Sequence, residues 1–116
     1  HKFKIHGRDT KSKNKLIKEA KKIEESGAFS IVLECISKTA AKSITNSLRI
    51  PTIGIGSSVY CDGQILVTDD IIGLSGFKPK FVKKYSDIYK LISLAVKRYA
   101  KDVKENKFPT NKNTFQ

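Results

Sequence analysis

A chain of 116 residues has room for one domain, and its size argues against two independently cored ones. A hydrophobic fraction of 39% beside 29% charged residues argues against wholesale disorder. No apolar run reaches the roughly 20 residues of a membrane-spanning helix, and the opening lacks the apolar core of a secretory signal, so a soluble cytoplasmic protein with no membrane partner is the expectation.

The formal net charge of +12 raises a nucleic-acid module as an alternative. The choice of cation argues against it. Only Arg8, Arg49 and Arg98 are arginine, the better bidentate reader of phosphate and guanine. The lysines are spread over helical faces and the tail, without an aromatic-studded basic strand, which reads as a solvated surface. Cys35 and Cys61 are too few for a disulfide framework or a four-ligand zinc site and are expected to be free thiols. The sequence contains no Met, even at position 1, which reads as a piece of a longer protein.

After the opening "KFKIHGRD", Leu16, Ile17, Ala20 and Ile23 recur at helical spacing between Thr10 and Ser26, and Gly27 is a natural left-handed stop. Residues 29–35, "FSIVLEC", are short and nearly continuously apolar, as in a parallel strand. Ser37 or Thr39 can cap a helix carrying Ala40, Ala41, Ile44 and Leu48 before Pro51 blocks it. "PTIGIG" predicts a second strand, and "QILVT", after an Asp62-Gly63 turn, a third. From Ser86 to about Lys104 the apolar residues keep the i, i+3, i+4, i+7 pattern of an amphipathic helix. The polar tail, about 106–116, is expected to be loosely held. Alternating helices and strands with short links argue for an α/β fold of parallel β/α units. Three such strands do not close a structure, so partner strands are expected on the N-terminal side.

Function in parallel α/β folds gathers at the C-terminal ends of strands. Glu34 stands there, and period-two geometry puts it on one face with Val32, opposite Ile31, Leu33 and Cys35. Partly buried at a barrel mouth or sheet crevice, it suits a general base; a salt bridge at the rim is the equal alternative. Gly54 and Gly56 leave one face of their strand bare, so "GIGSS" reads either as an anion cradle using Ser57 and Ser58 or as tight packing. Asp62 reads as a turn residue. Asp69 and Asp70 follow the third strand and could bind a cation, but on an extended chain they point to opposite faces, so at most one would face the site, and capping or solvation is the favoured reading. His1 and His6, without a nucleophile or ligand spacing near them, read as ordinary polar residues.

The segments "VLEC", "IPTIGIGSS", "CDGQILV", "IIGLSGFKPKFVKKY" and "KFP", in this order and spacing, closely resemble the ketopantoate hydroxymethyltransferase family, and "KFKIHGR" is similar to its Y-K-V-Q-G-R segment. The resemblance implies the C-terminal portion of a (β/α)8 TIM barrel, its last three strands and their helices, as a single partial domain over 1–116. It implies hydroxymethyl transfer from 5,10-methylenetetrahydrofolate to 3-methyl-2-oxobutanoate, giving 2-dehydropantoate for pantothenate synthesis. Glu34 matches the family's catalytic glutamate. Mg2+ is implied as cofactor, with ligands on earlier strands that this sequence lacks, so no position here inherits a metal role and the piece alone is expected to be inactive. A homodecamer is implied as well. Asp69 stands where the family commonly has histidine, and "NKNTF" lacks the usual glutamate-histidine pair; both departures leave Glu34 untouched. Another barrel enzyme acting on a phosphorylated or 2-oxoacid substrate remains the alternative.

Overall fold

The computed structural model describes residues 3–76 and 79–115. His1, Phe77 and Lys78 of the "IIGLSGFKPKFVKKY" stretch, and Gln116 of the tail lie outside the described residues. The chain forms two compact units, one of residues 3–67 with 79–82 and one of residues 68–76 with 83–115.

The first unit is a three-stranded, all-parallel sheet in the order β1-β2-β3, with β1 at Ile31–Glu34, β2 at Thr52–Ile55 and β3 at Gly63–Gln64. Helix α1, Thr10–Glu25, precedes β1, and α2, Lys38–Ser47, links β1 to β2. The Asp9 carboxylate caps α1 by accepting from Ser12 N at 2.8 Å, and the chain leaves the helix through Gly27 at φ 91°. Ser37 rather than Thr39 caps α2: its hydroxyl accepts from Ala40 N at 3.3 Å and donates to Gly7 O at 2.6 Å.

The apolar stripes of both helices meet one face of β1. Ala20, Leu33, Ile36, Ala40, Ala41, Ile44 and Cys61 form the buried cluster, flanked by Leu16, Ile17, Ile31 and Leu48. Small alanines at the contact let helix and sheet approach closely, and burial of this face holds β1 in register. Strand β1 is shorter than expected: pairing with β2 begins at Ile31, and Phe29 is left exposed. Strand β3 is also cut back, from the expected Gln64–Thr68 to Gly63–Gln64, since only these two residues pair with β2. Ile65 N still donates to Gly54 O, but the chain then turns away into a helix.

In the second unit, α3 is a single turn at Thr68–Ile71, and α4 runs from Ile88 to Lys104 with Asp87 as its cap. Tyr85 N donates to Ile71 O at 2.8 Å and Ile88 N to Ile72 O at 3.0 Å, which fixes the start of α4 to the end of α3. Leu91, Ile92 and Val96 of α4 are exposed, so this part of the apolar stripe legible in the sequence stays uncovered among the described residues. Beyond α4, the Phe108 ring packs against Tyr99 with centroids 5.5 Å apart, and a short 3-10 turn follows at Asn111–Asn113.

Candidate active site

Glu34 is the last residue of β1, and its direction follows from its neighbour. Leu33 is 4% exposed beneath the helices, so the alternation of the strand turns Val32 and Glu34 to the opposite face. Val32 is 54% exposed and the Glu34 side is open as well. Paired residues of a parallel sheet share a face, so Val32 with Ile53 and Glu34 with Ile55 build an apolar floor that ends in a carboxylate. Gly63 extends the floor next to Ile53, where an added Cβ would come within 2.9 Å of Ile53 Cδ1. The partial burial expected for Glu34 is not found: its side chain is exposed, while Ile53 and Ile55 on the same face are partly buried.

The backbone immediately after Glu34 is unusual. Cys35 has φ 51°, a left-handed conformation that costs a non-glycine residue about 1–2 kcal/mol. Its thiol is free and buried, and burial first, then the charge of Glu34, pushes its pKa up. Hydrogen bonds hold this bend from both sides. Cys35 N donates to Ile55 O at 3.0 Å, while His6 N donates to Cys35 O at 2.9 Å and His6 O accepts from Ser37 N at 2.8 Å. His6 thus serves through its backbone, as a parallel bridge to Ile36.

Ser57 completes the clamp, which favours tight packing over an anion cradle for "GIGSS". Its hydroxyl donates to Leu33 O at 2.5 Å and accepts from Ile36 N at 3.1 Å, so it spans the Glu34-Cys35 bend. Ser58 Oγ accepts from Tyr60 N at 3.3 Å, and Ser58 O accepts from the Gln64 amide at 2.7 Å. The bare side of Gly54 is filled: a Cβ there would lie 2.8 Å from Gln64 Oε1 and 3.1 Å from Cys61 Sγ. Tight packing is therefore what the glycines permit.

Asp62 is more than the turn residue expected. Its carboxylate accepts from Thr52 N at 2.8 Å and Thr52 Oγ1 at 3.0 Å, and Thr52, wholly buried, shares a 2.9 Å hydrogen bond with Thr45 of α2. The backbone hydrogen bond from Thr52, then the hydroxyl one, holds the Asp62 pKa below its ordinary 3.8. A depressed pKa stabilises the fold above the unfolded value and ceases to do so as pH falls through the folded one. Asp62→Asn should accordingly lower the melting temperature at pH 7, with the gap to the parent closing as the pH drops below 3.8; a gap independent of pH would contradict the charged clamp.

Asp69 and Asp70 do not lie on an extended chain but in the first turn of α3. Asp69 O accepts from Leu74 N and Ser75 N, and the buried Asp70 carboxylate takes the Ser75 hydroxyl. Both are turn-forming groups of the second unit. A depression of about 570 Å³, lined by Lys21, Glu24, Glu25, Ser47, Arg49 and Ile50, lies beside the N-terminal ends of the strands, the end opposite Glu34. There Glu24 accepts from Arg49 N and Ile50 N, tying the α2–β2 link to α1. Among the described residues no group of three or more His, Cys, Asp or Glu side chains is placed to hold a metal ion, so these residues do not fit the Mg2+ that the resemblance implies.

A sequence model of the ketopantoate hydroxymethyltransferase family matches residues 1–111. The chain belongs to the ketopantoate hydroxymethyltransferase family. It is 49% identical to the 3-methyl-2-oxobutanoate hydroxymethyltransferase of Pelagibacter ubique over 97% of its length, and 53% identical to that of Clostridium botulinum over 98%. Identity to the Carboxydothermus hydrogenoformans protein of the same name is 48% over 97% of the chain. The chain spans less than half the length of these curated relatives, 44%, 42% and 41% respectively.

Two residues of the chain carry contacts that sequence reasoning does not reach. Ser57 reads in the sequence either as a ligand donor or as part of a tightly packed corner, and nothing local signals that its partners are Leu33 and Ile36. Phe81 was not singled out at all. Its ring lies against Gly56, where a Cβ would stand 2.8 Å from Phe81 Cγ, and meets Phe3 edge-on at 5.2 Å and 88°. The bare glycine was the available signal; the ring that fills it comes from a distant loop.

Proposed function

We propose that this chain is the C-terminal part of a TIM-barrel 3-methyl-2-oxobutanoate hydroxymethyltransferase, in which Glu34 is the base that takes the proton from C3 of the 2-oxoacid. The observation that carries the reading is the placement of Glu34 at the C-terminal end of β1, on the face turned away from the helices. The barrel assignment draws on the sequential, all-parallel order β1-β2-β3 with α1 and α2 on one face, since a doubly wound sheet covers both. The uncovered apolar stripe of α4 fits a helix whose supporting strands belong to the longer relatives.

In the net reaction the C3–H bond breaks with its proton going to Glu34, and a C3–CH2OH bond forms. The two C–N bonds to the methylene carbon of 5,10-methylenetetrahydrofolate break, water supplies the hydroxyl oxygen, and tetrahydrofolate leaves with two protons on its nitrogens, one from that water and one equivalent to the C3 proton that Glu34 gives up again. A carboxylate within hydrogen-bond reach of the departing proton is the geometric requirement. The apolar floor of Val32, Ile53 and Ile55 beside it suits an apolar, branched oxoacid. Mg2+ is assigned to the part of the relatives that this chain does not span, as the resemblance implies, and the described residues offer no ligand set. A cytoplasmic homodecamer is the assembly proposed, on the resemblance alone. The alternative of a phosphate-handling barrel enzyme has less support, because the Ser57 hydroxyl is engaged by backbone.

A full-length protein carrying this chain is expected to form 2-dehydropantoate with 5,10-methylenetetrahydrofolate as donor. The chain alone is expected to form none. Turnover with a different one-carbon donor, and none with this one, would overturn the assignment.

A further inference from the structure

The end of β2 carries a feature that the base role does not use. Gly56 directly follows Ile55, the residue in register with Glu34, and it has φ +60°. The Phe81 side chain occupies the space of the absent Cβ, with Cγ, Cδ1 and Cβ at 2.8, 3.0 and 3.2 Å from that position. Only a residue without a side chain lets the ring seat on the backbone there. Phe3 meets Phe81 edge-on with centroids 5.2 Å apart, which limits rotation of the ring. Yet neither is sealed off: Phe81 is half-buried and Phe3 is 43% exposed. A braced aromatic surface thus remains open at the same sheet end as the carboxylate.

We propose that Phe81, braced by Phe3, receives the two methyl groups on C3 of the branched 2-oxoacid and so sets selectivity for them; this rests on the role given to Glu34 above. The proton that leaves C3 must reach the Glu34 carboxylate, so C3 itself is fixed beside it and its methyls lie one bond away. Val32 and Ile53 lie further back along the strands, toward their N-terminal ends, while Ile55, in register with Glu34, forms the floor beneath C3 and leaves the open strand end to the methyls. Phe81 lies past the strand end, on the side from which a substrate arrives at a parallel sheet. Methyls pressed against an apolar ring gain affinity, and a chain lacking one of them gains less.

The test compares 3-methyl-2-oxobutanoate with 2-oxobutanoate, which lacks one of the methyls, in a full-length protein carrying this chain. In Phe81→Ala, kcat/KM for the branched acid should fall about 10-fold, against less than about 3-fold for 2-oxobutanoate, with the folate KM unchanged. Phe81→Leu, which keeps apolar bulk and guards against misfolding, should recover most of the loss. Equal losses on both oxoacids, or a rise confined to the KM for methylenetetrahydrofolate, would overturn the proposal, the second by assigning the ring to the pterin. Deuterium exchange at C3 in the parent without folate separates the two claims: its absence removes the base reading and this one together, whereas normal exchange with unchanged selectivity removes only this one.

Discussion

Glu34→Gln, in a full-length protein carrying this chain, should lower kcat by about 10³-fold, the middle of the range a positioned general base contributes. The amide keeps the shape of the side chain and loses only the capacity to take a proton. Binding of the 2-oxoacid should persist, so KM should move little. The fold should not notice: Glu34 is exposed, and among the described residues no hydrogen bond or ion pair engages its carboxylate. Stability should therefore stay within about 0.5 kcal/mol of the parent, as for an ordinary surface substitution. Steady-state kinetics beside a urea melt read both quantities. A large loss of stability with the lost turnover would place Glu34 in a structural ion pair, the alternative that the sequence left open.

The second large effect is expected at Gly7. It has φ +74°, and a Cβ there would stand 2.6 Å from the Ala40 Cβ and 3.0 Å from Leu16 Cδ1. Ala40 is wholly buried and its Cβ cannot rotate away, so either the opening segment or α2 must shift. Left-handed strain of about 1–2 kcal/mol adds to an overpacking cost of about 1–3 kcal/mol, and Gly7→Ala should destabilise by about 3 kcal/mol. The damage should reach the site, because Gly7 O accepts the Ser37 hydroxyl and His6 bonds both Cys35 O and Ser37 N. Chemical denaturation gives the first quantity and kcat the second. A loss below about 1 kcal/mol would mean that the opening segment does not pack against α2 as found.

These two positions also mark how far the sequence could be read. Glu34 was legible because a carboxylate ending an apolar strand breaks a pattern, and period two then fixes the face it shares with Val32. The helices α1, α2 and α4 were legible because their apolar residues recur at the helical period. What stayed hidden depends on contacts between residues far apart in sequence. Ser57 reaches Leu33 O across 24 positions, and Phe81 fills the space over Gly56 from a later loop. Asp62 looked like a turn because Asp-Gly so often is one, whereas its partner Thr52 lies ten positions earlier. The extent of β3 was overestimated because "QILVT" has strand propensity, while only Gly63 and Gln64 find a partner in β2. The single turn of α3 is set by Asp69 and Asp70 bonding locally, on a scale too short for periodicity to reveal.

The base role is tested most directly by C3 hydrogen exchange of 3-methyl-2-oxobutanoate in D2O, without folate, followed by NMR in the full-length protein and in its Glu34→Gln variant. Exchange in the parent that falls about 10³-fold in the variant is the predicted result. Exchange in the variant at the parent's rate would contradict it, because some other group would then be removing the proton.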